Sequence, residues 1–238
     1  MEQILKQAFP NALDAHIAEF AAPIADVMDR YEINTFLRQA HFLAQIGHES
    51  GELLYREEIA SGRAYEWRRD LGNTQRGDGV RFKGRGLIQL TGRYNYHKYD
   101  GFRQANGKYI ENPSLVADEP FTCVDVAGWY WDQRKLNRYA DKDSVRSVTY
   151  RINGGYNGLR DRMRLLGLAK RALGMDKQDS DGRRIQTLLN SAGYQVSVDG
   201  VIGPQTKNAI IQFQRANGLV PDGIVGPATL SHLKRNQT

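Results

Sequence analysis

The chain is poor in the residues that staple, anchor or metallate a protein. Cys123 is the only cysteine in 238 residues, so no intrachain disulfide can form and a disulfide-stapled secreted scaffold is excluded. No apolar run approaches the roughly 18 residues needed to cross a bilayer. The opening Met1-Glu2-Gln3-Ile4-Leu5-Lys6 lacks a basic stretch followed by a long apolar core, so we see no secretory leader and expect synthesis in a cytoplasm. Histidine is scarce as well. His48-Glu49 begins like the zinc-binding pattern H-E-x-x-H, but position 52 is Glu52, and the second ligand is missing. His16, His41, His97 and His232 are scattered, which suits structural histidines better than a metal cluster. The residues around Cys123 carry no nucleophile pattern, and a buried small hydrophobe is expected there.

What is present is an ordinary globular composition with a basic bias. Hydrophobic residues make up 40% and charged residues 25%, which argues against wholesale disorder. Thirty-three basic residues against 27 acidic ones give +6, a balance that favours polyanionic partners. The local run Arg81, Lys83, Arg85 and Arg93 has no nucleic-acid-binding motif around it, so nucleic acid is not expected as a partner. That run could instead face anionic envelope polymers.

Two regions are separated by a polar stretch. Residues 176–181 have no apolar periodicity and read as a linker between a domain at 1–175 and a smaller one at 182–238. In the first region, helical spacing recurs at 12–28, 34–50, 120–131, 144–152 and 159–173, with Gly174 as a stop signal. Between them, Gly62, Gly72, Gly77, Gly79, Gly84, Gly86 and Gly92 predict loops or a small hairpin rather than long helices. The second region contains a near-repeat. Asp199-Gly200-Val201-Ile202-Gly203-Pro204-Gln205-Thr206 returns as Asp222-Gly223-Ile224-Val225-Gly226-Pro227-Ala228-Thr229. Each copy reads as an Asp-Gly turn leading to proline in a helix's first turn. Three short helices are expected there, burying Ile185, Leu188, Leu189, Ile210, Phe213, Leu219 and Leu230.

Glu49 is the most informative acid. It lies at the end of the helix expected at 34–50, in line with Phe42 and Ile46 on a face distinct from the Phe36, Ala40, Leu43 and Gly47 stripe. A carboxyl ending an apolar line is partly desolvated, the setting a glycosidase uses for a proton donor. Glu52, Glu57 and Glu58 follow within nine residues, ahead of loop-rich backbone that could bring one of them across a cleft, as hydrolysis by a carboxyl pair requires. Tyr94, Tyr96 and Tyr99 offer rings, and Gln89 and Asn95 amides, for holding a sugar. Tyr96 and Tyr99 could equally be a packed cluster under a loop.

Three ordered motifs resemble family 19 glycoside hydrolases. They are Ala40-His41-Phe42-Leu43-Ala44-Gln45 with His48-Glu49-Ser50, then Gly84-Arg85-Gly86-Leu87-Ile88-Gln89-Leu90-Thr91-Gly92-Arg93-Tyr94-Asn95-Tyr96, then Ile152-Asn153-Gly154-Gly155. Glu58-Ile59-Ala60-Ser61-Gly62-Arg63-Ala64-Tyr65 looks closer to the phage endolysin branch than to plant chitinases, whose several cysteines are also missing. The resemblance implies a mainly α fold, with a lysozyme-like α+β catalytic domain. It makes Glu49 the acid, Glu58 the base that activates water, with Glu57 its competitor, and Thr91 a hydroxyl that helps hold that water. Gln89, Tyr94, Asn95 and Asn153 match positions lining the sugar cleft. Arg162 matches an arginine near the acidic pair, with Arg160 and Arg164 as competitors. The family is inverting, so its carboxyls should stand about 6.5–9.5 Å apart.

The tail resembles peptidoglycan-binding modules on wall hydrolases, through its doubled Asp-Gly-x-x-Gly-Pro-x-Thr units and Phe213-Gln214. Together the resemblances imply hydrolysis of β-1,4 bonds between N-acetylmuramic acid and N-acetylglucosamine, with no cofactor and no metal. They further imply peptidoglycan as partner, a monomer, and a separate pore-forming protein giving passage across the membrane to the wall. A chitinase, or a non-catalytic wall-binding structural protein, would share much of this pattern.

Overall fold

The computed structural model describes residues 1–235, with backbone alone for 175–180. The chain divides into two compact units, Met1–Leu173 and Gly174–Thr238. Helices longer than one turn are numbered α1 to α10.

In the first unit these are α1 (Glu2–Ala8), α2 (Asp14–Arg30), α3 (Phe36–Glu49), α4 (Arg93–Arg103), α5 (Pro120–Gln133), α6 (Val145–Asn153) and α7 (Leu159–Ala172). The sequence dictates several of their ends. Thr35 caps α3 by accepting from the Arg38 N–H at 3.3 Å, and Ser144 caps α6 through the Ser147 N–H, each satisfying an amide with no partner inside the helix. Pro120 opens α5, where a missing N–H costs nothing.

Helix α3 is the axis of the unit. Residues 40–47 are all buried, so both apolar faces read from the sequence are covered. Helix α7 packs along it, while α2 packs on α5 and α1 on α7. Phe42 meets Trp131 edge to face at 5.4 Å, a favourable aromatic geometry. Burial of the Cys123 side chain pushes its thiol up to about 12, as a small hydrophobe in the core requires.

Between α3 and α4 the chain is irregular, with one-turn helices and isolated bridges pairing Arg85 with Glu57 and with Leu90. No extended strand occurs among the described residues, so the β contribution expected here reduces to those bridges. Helix α4 was not evident from periodicity: Arg93-Tyr94-Asn95-Tyr96-His97-Lys98 is too polar to show an apolar stripe. Its inner face is Tyr96, Tyr99 and Asp100. Tyr96 and Tyr99 are fully buried. They donate to the Lys83 carbonyl at 3.0 Å and to Asp125 at 2.7 Å, so they are packed supports and not sugar-facing rings.

The second unit holds α8 (Met175–Ser191), α9 (Pro204–Ala216) and α10 (Pro227–Arg235). The stretch 176–181 is helical backbone within α8 and not an irregular linker. It contains no proline, and no glycine before Gly182, so nothing local opposes a helix. Leu188, Leu189, Ile210 and Phe213 are buried together with Val196, Ala209 and Leu233, while Ile185, Leu219 and Leu230 pack at the edge. The repeated turns share one device. The Gln186 Nε2 donates to Asp199 at 2.7 Å and its Oε1 accepts from the Gly200 N–H at 2.7 Å. Gln214 does the same with Asp222 at 2.8 Å and Gly223 at 2.9 Å. Each turn is thus pinned by a buried amide from the preceding helix, leaving few polar groups unpaired.

Candidate active site

Glu49 occupies the last position of α3, so a rigid buried helix fixes its backbone. Its side chain is 21% exposed and its Oε1 accepts from Arg162 Nη2 at 2.5 Å. Arg162 projects from α7 and is only 2% exposed. Its Nη1 donates to Gln45 Oε1, one turn before Glu49. The guanidinium therefore spans two side chains on the same face of α3, using the planar fork that a lysine lacks. Of the competing arginines, Arg164 reaches Asp161 and Glu52, both at 2.8 Å, and Arg160 is exposed with no contact to Glu49. The expectation of an apolar setting for Glu49 needs amending: the Phe42 and Ile46 line leads to a buried cation.

A second network braces the same helix end. His48 Nδ1 lies 2.7 Å from Asp161, and Glu52 accepts from Asn11 and Arg164. Hydrogen bonds from His48 and Arg164 outweigh burial and hold the Asp161 carboxyl below its usual range. The His48 ring fills the space a side chain at Gly158 would need, and Gly158 has φ of +70°, so glycine is required there. His41 is buried against Asp143 at 2.9 Å.

Glu58 arrives by a different route. Antiparallel pairing joins 56–58 to 84–86: the Glu58 N–H donates to the Gly84 carbonyl at 2.9 Å and the Gly86 N–H to the Arg56 carbonyl at 2.8 Å. The half-buried Glu58 carboxylate accepts from Tyr65 Oη at 2.9 Å and from the Gly84 N–H at 3.2 Å. Burial and this hydrogen bond raise the Tyr65 phenol above its ordinary value. Glu57 turns away to pair with Arg85 at 2.8 Å and Lys83 at 3.4 Å. Arg81 is tied to the Ile110 carbonyl and Arg93 to Asp78. Three cations of the basic run are thus paired with carboxylates, while exposed Arg81 is held by backbone carbonyls alone.

Gln89 and Thr91 stand beside Glu58. A methyl group at Gly84 would lie 2.6 Å from Gln89 Oε1, 3.3 Å from Glu58 Oε2 and 3.3 Å from Thr91 Oγ1, so the three side chains converge on the space glycine leaves free. Gln89 adopts φ of +57°, a left-handed strain typical of functional positions. Thr91 donates to the Gln89 carbonyl at 2.8 Å.

A cleft of about 380 Å³ is lined by Glu49, Gln89, Thr91, Asn95, Tyr130 and Asn153 among others. Glu58 is not on its lining and adjoins it through Gln89 and Thr91. Tyr94 is 52% exposed and lies outside the lining, with its ring under Lys98 at 4.4 Å. The roles of Gly84, Gln45 and Tyr65 were not legible within the motifs that contain them: Gln45 and Gly84 act through contacts distant along the chain, and Tyr65 through a loop that returns it to Glu58 seven residues earlier.

Residues 6–151 match the family described as chitinase class I, and residues 178–233 match a putative peptidoglycan binding domain. The chain belongs to glycoside hydrolase family 19. A family 19 domain-containing protein of Haemophilus influenzae is 36% identical over 195 residues, covering 69% of this chain and 92% of that protein. An endochitinase of Arabidopsis thaliana is 37% identical over 121 residues, 49% of this chain and 39% of its own length. Chitinase C of Streptomyces griseus shares the fold at TM-score 0.58, with 22% identity over 73% of this chain and 76% of that one. This family 19 protein is thus a glycosidase with an appended peptidoglycan-binding domain.

Proposed function

We propose that the protein is a muramidase of the phage endolysin type, cutting β-1,4 bonds between N-acetylmuramic acid and N-acetylglucosamine with inversion. The observation that carries the reading is the pairing of Glu49 with buried Arg162 at the wall of a cleft that continues through Thr91 and Gln89 to Glu58. Arg162 holds Glu49 Oε1, which leaves Oε2 to carry the proton. That proton goes to the glycosidic oxygen as the bond from C1 to oxygen breaks. A water on the opposite face attacks C1 and gives its proton to Glu58, whose carboxylate is fixed by Tyr65 and the Gly84 N–H. Thr91 helps hold that water, while Gln89, Asn95, Asn153 and, at the periphery, Tyr94 hold the sugars. No cofactor enters this scheme.

The match of residues 178–233 to a peptidoglycan-binding domain supports peptidoglycan over chitin. A chitinase reading draws on the endochitinase relatives and shares the same carboxyl pair. In a lysis role the enzyme acts as a monomer at the wall, reached through a separate pore-forming protein. None of the described helices is long and apolar enough to cross a membrane. Incubation with purified peptidoglycan and with chitin, followed by assay of new reducing ends, tests the reading. Reducing ends from peptidoglycan are expected. Release from chitin alone would establish the chitinase, and new amino groups without reducing ends would sink both.

A further inference from the structure

The cleft carries two cations that the acid–base chemistry does not use. Lys98 lies on α4 and Arg134 directly follows α5, and both line the cleft. Each is exposed and set over a tyrosine four residues earlier in the chain. Lys98 Nζ is 4.4 Å from the centre of the Tyr94 ring, and Arg134 Cζ is 4.0 Å from that of Tyr130. An aromatic shelf orients a cation without neutralising it. Neither residue has a carboxylate partner among the described residues, whereas nearby Arg93 and Arg162 are paired with Asp78 and Glu49. Glu49 is the only acid on the lining, and Arg162 already answers its charge. Even with the adjoining Glu58 carboxylate counted, Lys98 and Arg134 leave net positive charge at the cleft for whatever strand enters it.

We infer that Lys98 and Arg134 are specificity-determining residues that bind carboxylates carried by the glycan strand, which peptidoglycan has and chitin lacks. This rests on the muramidase reading and extends it to the feature of the substrate that is recognised. On a stem-bearing strand those carboxylates belong to the peptide stem. The lactyl carboxyl of muramic acid is tied up in the amide to the stem and becomes a carboxylate, with the same chemistry toward the two cations, only where the stem is absent. Opposite charges at the cleft also speed encounter with an anionic polymer, an effect that salt screens.

The test uses the full-length protein and the rate of reducing-end release from three forms of purified sacculi. One is native, one has its carboxyls capped as methylamides, and one is stripped of stem peptides by an amidase, which leaves the lactyl carboxylate. Exposed ion pairs are each worth up to about fivefold, so the unmodified protein should cut native sacculi about tenfold faster than capped ones. Lys98→Gln/Arg134→Gln should cut both at the capped rate, and Lys98→Arg/Arg134→Lys should keep the preference. Retention of the preference on stripped sacculi shows that the newly freed lactyl carboxylate also satisfies the two cations, and its loss confines the contact to carboxylates of the stem. Indifference of the unmodified protein to capping overturns the inference, as does a glutamine double variant that keeps the preference or slows equally on native and capped sacculi. No release from native sacculi by the unmodified protein would instead bring down the muramidase reading, and this inference with it.

Discussion

The helix that carries Glu49 and the irregular segment that carries Glu58 hold their carboxylates by opposite means. Glu49 sits at the end of α3, a helix buried along most of its length, and a buried guanidinium locks one of its oxygens. Glu58 has no helix beneath it. Two backbone hydrogen bonds to 84–86, a phenol and an amide fix it, and the space it shares with Gln89 and Thr91 exists because residue 84 has no side chain. One side of the site rests on packing and a charge-assisted bond. The other rests on long-range backbone pairing and an absence. The first side is vulnerable to loss of charge or fork geometry, the second to added volume.

The largest effect belongs to the helical side. Glu49→Gln keeps the shape and the contact to Arg162 but cannot donate a proton, so activity should fall by about a thousandfold. Circular dichroism and wall sedimentation should be unchanged; near-normal turnover would remove Glu49 as the acid. Next comes the loop side, where Glu58→Gln should cost about a hundredfold or more in turnover. Glu57→Gln should leave turnover within about threefold while lowering the melting temperature, since it removes the carboxylate paired with buried Arg85 and with Lys83. Reversal of those two results would exchange the roles of the neighbours.

Gly84→Ala adds volume on the loop side alone. The backbone at 84 does not need positive φ, so the added methyl should cost little stability, on the order of 1 kcal/mol. It should still reduce turnover about tenfold by displacing Gln89 and crowding Glu58, as steady-state kinetics beside a thermal melt would reveal. A variant as active as its parent would mean the convergence at Gly84 is incidental.

The smallest effect concerns pH. Burial lowers the pKa of His41 below its ordinary value, against the opposing pull of Asp143. A depressed histidine means the unfolded chain binds the extra proton first, so stability should decline as pH falls from about 6.5 toward the lower folded value. The Asp143 carboxyl is held low by Lys170 and His41 despite burial, so its contribution should persist until more acid conditions. Thermal melts between pH 7 and 5 should show a slope that His41→Gln reduces; an unchanged slope would place the proton elsewhere.

Much of this architecture is written locally. The helix ending in Glu49, its apolar faces and the doubled Asp-Gly turns follow from spacing and turn chemistry alone, and the tail core follows from its helices. Helix α4 escaped because its buried face is tyrosine and aspartate, which periodicity counts as polar. The choice of Arg162 from three nearby arginines, and the separation of Glu58 from Glu57, depend on which side chain points inward at a contact more than 25 residues away along the chain. The roles of Gln186 and Gln214 emerge only with the turns they pin. Local sequence encodes elements and turns, whereas the site is made where distant segments pair.

The division of labour between the two carboxylates is tested most directly by the anomer first released from a β-linked peptidoglycan fragment, followed by proton NMR before mutarotation. An acid at Glu49 and a base at Glu58 acting on water from the opposite face predict the α-anomer. Initial release of the β-anomer would mean that a carboxylate attacks the sugar itself, and would contradict the account.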